Sequence, residues 1–280
     1  MTATKKYIQP KNFIFLPKKF QKQHMFCDFI LFQIETFLTD EKYSGLKVSV
    51  LNLNESELPN DDEHAFEFLN RVGRQKEYND IIRNQIIYGL LIDTCYFLKS
   101  ALNASLEKRL TVAFALIRKP FVYDLIIFLR LFLTSDFIDD FNKHEEYDST
   151  KLSKEDLKEL LELSEEALLT KSIKGAYIYD LIFNQEIGDS LINLSNKALH
   201  PSTTRNKKNL TGLQNLNFIF STDENIDGQW NYLYSRLRLL LIYLNEILEY
   251  GVFSSIDIDI DMKIYEERIT ERAKFLSANS

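Results

Sequence analysis

Apolar residues recur at steps of three and four along most of this chain, and that spacing predicts helices. Leu106, Leu110, Ala113, Phe114 and Ile117 form one such row, and Phe121, Leu125, Phe128, Leu129 and Phe132 form another. Ser105 is placed to cap the first of these helices. Pro120 stands between the two rows, where it is expected to break the chain and occupy the first turn of the second helix. Upstream, a long helix is expected over Gln75–Leu102. Its middle is apolar on nearly every face (Ile86, Ile87, Leu90, Leu91, Ile92), as in a helix central to a bundle. Asn60, with Glu63 three residues later, fits a capping box at the start of this helical body.

Other segments carry the same period. Helices are expected over Lys18–Leu38, after Ser153 and Asp156 in "LKELLELSEEALL", over Tyr177–Asn184, over Gln185–Leu199 and through "GQWNYLYSRLRLLLIYLNEILEYGVF". Residues Pro201–Gly228 read as a long loop, a kind of segment that often carries function. "HEEYDSTKLSKED" has the composition of a linker. Three short stretches alternate instead or are β-branched: "NFIFL", "KVSVLNL" and "SSIDIDIDM". They predict a minor β ribbon beside the helices. The expected class is therefore mainly α, a helical bundle with a small ribbon. The expected division is an N-terminal helix with short strands over 1–59, a bundle over 60–250, and an edge strand plus C-terminal helix over 251–280.

Composition sharpens this picture. Glycine (8) and proline (5) are scarce in 280 residues, which favours long helices over a turn-rich β fold. The net charge of −7 provides no global attraction to nucleic acid or to an anionic membrane. Two local basic stretches remain, "LPKKFQKQH" and "TTRNKKN". Cys27 and Cys95 lie in apolar surroundings and read as buried free thiols of a reducing compartment. The N-terminal apolar run is too short for a signal peptide. The most apolar helices carry Asp93, Asp124 and Arg130, so no membrane span is expected and the expected location is the cytoplasm. P-loop, dinucleotide, nucleophile-elbow and HExxH patterns are absent, and no cofactor is called for.

The candidate chemistry centres on "NKALHPSTTRN". Asp189, Asn193, Asn196, Lys197 and His200 fall on one face of a helix, with Arg205 on the loop beyond. His200, Arg205 and Arg118 are the candidate catalytic residues, and Asn193, Asn196 and Lys197 the candidate substrate-binding ones. An imidazole beside amides and cations can hold a phosphate and move a proton. The plainer reading of the same residues is a solvated helix face ending in a histidine. Asp93, inside an apolar helix, needs a partner, and Arg118 is the first candidate for a structural ion pair across a helical hairpin, with Arg83 and Arg109 as rivals. Asp257, Asp259 and Asp261 would share one strand face. They lack the glycine and terminal glutamate of an EF-hand loop and read as the acidic face of an edge strand, with no metal site assigned.

Two stretches, "RLTVAFALIRKPFVYDLIIFL" and "NKALHPSTTRNKKN" followed by "LNFIF", together resemble a group of uncharacterised bacterial helical proteins. Their general look is similar to the HEPN superfamily, which includes metal-independent ribonucleases of defence and toxin systems. The nuclease motif of that superfamily is an arginine followed a few residues later by a histidine. Here the order is reversed, His200 before Arg205. The resemblance implies a bacterial cytoplasmic protein and points to a defence system. It leaves two functions in view: contacts with a protein partner or with itself, and an RNA-directed enzyme in which His200 is the acid/base.

Overall fold

A computed structural model of the chain describes residues 7, 13–54, 57–143, 147–168, 170–171, 173–213, 216–217, 223–256 and 262–278. The protein is 73% helical, with eleven α-helices and no strand among the described residues. The helices are α1 (Lys18–Thr39), α2 (Ala65–Arg71), α3 (Gln75–Leu106), α4 (Leu110–Arg118), α5 (Leu125–Leu133) and α6 (Phe137–Lys143). They continue as α7 (Lys154–Ala167), α8 (Gly175–Ile182), α9 (Leu191–Leu199), α10 (Asp223–Ser255) and α11 (Met262–Ala278). Helix α1 lies along α10 and α3, α4 pairs with both α3 and α9, and α7 pairs with α8.

One core runs through the molecule. Phe37 and Tyr43 from the N-terminal segment, Phe114 and Phe128 from α4 and α5, Phe121 from the turn between them, and Tyr234 and Tyr243 from α10 are all fully buried in it. The N-terminal helix is therefore an inner wall of the bundle, and α10 continues past residue 250 without interruption. The divisions expected after residues 59 and 250 correspond to no break in the core.

The expected ribbon is not seen among the described residues. Phe13–Leu16 form a bend, and residues 47–53 run unpaired, with Val48 and Val50 exposed. Ser254 and Ser255 end α10 rather than begin a strand; Asp257, Asp259 and Asp261 lie outside the described residues. Alternation alone does not make a strand, because a strand also needs a neighbouring edge to bond.

Several expected boundaries also move: α9 starts at Leu191 rather than Gln185, leaving Asp189 in the preceding turn, α10 starts at Asp223 inside the expected loop, and three others shift for local reasons. Ser105 caps nothing. It sits inside α3, buried, and its hydroxyl meets the Tyr234 hydroxyl at 2.7 Å. The reversal into α4 comes later, at Lys108, whose φ of 60° places it in the left-handed region. Pro120 does not break the chain. It opens a π-helical turn, Lys119–Asp124, that carries α4 directly into α5. The wider turn accommodates the missing N–H, and Leu125 N–H donates back to the Pro120 carbonyl. Asn60 and Glu63 do bond to each other, with Asn60 N–H on the Glu63 carboxylate at 2.9 Å, but in the turn before the helix. The N-cap of α2 is His64. Ser153 caps α7 as expected, accepting from Asp156 N–H at 3.0 Å. Helix α3 is less enclosed than its composition suggests. It buries one stripe, from Asn84 through Ile87, Leu91, Cys95 and Leu98 to Ser105, while Tyr96 is exposed.

Two close approaches position the later helices. A Cβ on Gly251 would strike the ring of Phe132, so α5 and α10 meet at that glycine. A Cβ on Gly175 would strike the Leu161 carbonyl and stand 2.8 Å from Glu162 N, so α8 starts against the backbone of α7. Backbone cannot yield as a side chain can. Gly175→Ala is therefore expected to cost about 3 kcal/mol of unfolding free energy, read from urea denaturation. A wild-type midpoint in that variant would contradict the packing.

The π turn also buries a carboxyl. Asp124 is 2% exposed and accepts from the Thr94 hydroxyl at 3.1 Å. Burial pushes its carboxyl up to about 6, against a smaller opposing pull from Lys119. The folded chain thus holds this proton more tightly than the unfolded chain, so the contribution is full at low pH. It is lost as pH rises from about 4 through about 6, by about 3 kcal/mol. Asp124→Asn keeps the acceptor and removes the charge. It is expected to be more stable than wild type at pH 7 and to lose that advantage near pH 4, measured by denaturation at both pH values.

Candidate functional site: a polar cleft at the end of α9

The stretch "NKALHPSTTRN" closes α9 and turns into a loop folded back on itself. His200 is the C-cap residue of α9, and its N–H reaches the Asn196 carbonyl at 3.0 Å. Its own carbonyl accepts from the Asn217 side-chain amide at 2.9 Å. Thr203 and Thr211 are cross-bonded through Thr203 N–H to the Thr211 hydroxyl (2.7 Å) and Thr211 N–H to the Thr203 carbonyl (3.0 Å). The long loop expected here is therefore tied by its own side chains, as functional loops of this length usually are.

Between α9, this loop and the turn before α9 lies a cleft of about 500 Å³. His200 and Arg205 both line it, with Asn196, Thr204, Ser202 and Gln185. Both are exposed, and neither ring nor guanidinium has a hydrogen-bonding or ionic partner among the described residues. Sequence spacing brought these two together correctly. It did not identify the hydroxyl run Ser202–Thr204 or Gln185 as neighbours; the run of three consecutive hydroxyl residues was the available signal.

The other candidates divide by geometry. Asn196 belongs to the cleft wall, and Arg118 stands behind it. Arg118 Nη1 donates to the Asn196 side-chain carbonyl at 2.6 Å and to the Ser195 hydroxyl at 3.0 Å, while its other nitrogens reach the Tyr123 hydroxyl. With its carbonyl so held, Asn196 retains its NH₂ group for a ligand. Asn193 also lines the cleft, from its buried inner wall, and acts there as a clasp. Its amide donates to the Gln185 and Ile187 carbonyls at 2.9 and 2.8 Å, and its side-chain oxygen accepts from Asn206 at 3.0 Å. Lys197 lies on α9 away from the cleft lining. Asp189 is taken by Arg236 in an ion pair.

The Asp93–Arg118 pair is a correction. Asp93 pairs with Lys119, and its side chain is 36% exposed rather than buried. Successive helical residues point roughly 100° apart. Lys119 therefore faces α3, where Asp93 sits, while Arg118 faces α9. The buried acid of this region is Asp124, one turn further on.

A second histidine, His24, is enclosed in the core. Its Nδ1 lies 2.9 Å from the Tyr234 hydroxyl, which continues to Ser105. Burial lowers its imidazole to about 4, so it serves as a neutral core link. Cys27 and Cys95 are free and buried, with thiols pushed up by burial, as expected of unreactive structural cysteines. Among the described residues, no three metal-ligating side chains cluster and no helix is long and apolar enough to cross a membrane. No known protein family matches the sequence, and no curated protein or solved structure is significantly similar to it.

Proposed function

We propose that the cleft binds a phosphodiester of single-stranded RNA and that the protein cleaves it. The observation that carries this reading is that His200 and Arg205, both without partners among the described residues, line one polar cleft beside the NH₂ group of Asn196. Arg205 gives the lining a fixed positive charge and no carboxylate belongs to it among the described residues, which suits an anion. Arg205 meets the phosphate oxygens, and Asn196 orients the chain. His200 accepts the 2′-hydroxyl proton as the 2′-oxygen attacks phosphorus. The 5′-oxygen leaves and takes a proton from water, giving a 2′,3′-cyclic phosphate and a 5′-hydroxyl end. The resemblance to HEPN proteins supports RNA as the substrate and a bacterial defence setting. The two free buried thiols support a cytoplasmic location.

A second reading rests on a different feature. Leu210, Leu213 and Leu216 follow the cleft on the same loop and are exposed, Leu213 at 98%. Exposed leucines in series suit contact with a protein partner or a second copy. Purified protein incubated with total RNA, with and without EDTA and beside His200→Ala, separates the two. Cleavage that persists in EDTA and disappears in the variant supports the nuclease. Intact RNA with both proteins moves the function to protein contacts, and cleavage unchanged by the variant removes His200 from the chemistry.

A further inference from the structure

The basic stretch "LPKKFQKQH" remains unused by the cleft, and the fold gives it a place. Lys19 and Lys22, one helical turn apart on α1, share a pocket with Arg238 of α10. Phe26, Phe275 and Leu276 supply the apolar part of its wall, the last two from α11. The pocket holds about 270 Å³ and shares no lining residue with the His200 cleft.

We propose that this pocket is a second ligand site, for a small phosphate monoester with an apolar body. Three cations converge in a chain whose net charge is −7, and among the described residues no carboxylate lines the space between them. Lys19 is paired with Asp227 outside the lining. Arg238 is exposed and has no hydrogen bond or ion pair among the described residues. Arg238 is thus the charge at the mouth of the pocket that an anionic ligand would meet first, while Lys19 is already engaged by Asp227. A guanidinium fork is matched to phosphate oxygens, and the lysines add point charge without demanding geometry. The phenylalanine and leucine surfaces suit the organic part of an ester rather than bare phosphate. The volume falls just below that of drug-sized sites, roughly 300 Å³ and upward, which selects a compact ligand over a polymer.

Titration calorimetry on the full chain tests this with phenyl phosphate, inorganic phosphate and phenol as probes. The expected result is saturable binding of one phenyl phosphate per chain, tighter than inorganic phosphate, with phenol not bound. Arg238→Gln is expected to weaken phenyl phosphate by at least about tenfold, and Arg205→Gln to leave it unchanged. Lys22→Gln gives a second, independent reduction. Circular dichroism confirms that each variant is folded, as expected for exposed positions. Absence of saturable binding overturns the proposal, as does phenol binding as well as phenyl phosphate or Arg238→Gln binding like wild type. Loss in Arg205→Gln alone assigns the ligand to the cleft instead and equally overturns it.

Discussion

His200→Ala is expected to slow RNA cleavage by about 10²- to 10⁴-fold, the usual contribution of one positioned acid/base. The size of the loss depends on what remains in the cleft. Arg205 and the Asn196 amide still hold the phosphate, so RNA binding should change little while turnover falls. Arg205→Gln is expected to lose about 10²-fold, in line with removal of one group that stabilises developing charge. Lys197→Gln should be close to wild type, since Lys197 stands off the cleft lining. That order, His200 first, Arg205 second and Lys197 last, distinguishes a cleft-centred reaction from general attraction of RNA to a basic loop. In the latter case the three cationic and near-cationic positions would weaken binding alike and would do so more at low salt. Single-turnover cleavage of a labelled oligonucleotide, with binding measured separately, reads both quantities. Equal losses in binding across the three variants would remove His200 from the chemistry.

Glu249→Ala is expected to cost about 3–5 kcal/mol of stability, the usual penalty for breaking a buried ion pair. Glu249 is fully buried on α10 and accepts from both arginines of α11. Arg272 grips it with two bonds, at 2.7 and 3.0 Å. Arg268 adds another and reaches onward to the Gln33 carbonyl at 3.0 Å and the Thr36 hydroxyl at 2.9 Å. The network thereby joins α11 to α1 and α10. Removing the carboxylate leaves two guanidinium groups, each about 6% exposed, without their anion. The cost is that stranding rather than the worth of the pair itself. Changing all three together, Glu249→Leu with Arg268→Met and Arg272→Met, should therefore recover much of the loss. Urea denaturation measures both variants. A single mutant as stable as wild type would show that α11 contributes little to the folded state.

Helical content and helix positions were legible in the sequence because both depend on local spacing. Apolar residues at steps of three and four located α1, α3, α7 and α10 to within a few residues at most of their ends, and Ser153 marked a start through a bond three residues away. The pairing of His200 with Arg205 was legible for the same reason, since five residues across a helix end cannot separate far. The tertiary structure decided everything that depends on a partner distant in the chain. Alternating residues at 47–53 form no strand because no strand edge lies beside them among the described residues. Pro120 became part of a π turn because the flanking helices α4 and α5 are both held in the core. Arg118 met Asn196 and left Asp93 to Lys119, a choice set by which neighbouring helix each side chain faces. Asn193 was drawn inward to clasp a turn and a loop, while Lys19 and Lys22 were brought to one pocket with Arg238, more than 200 residues away in the chain. Periodicity specifies which face of a helix is apolar. Only packing specifies what that face, and the charges at its margin, will meet.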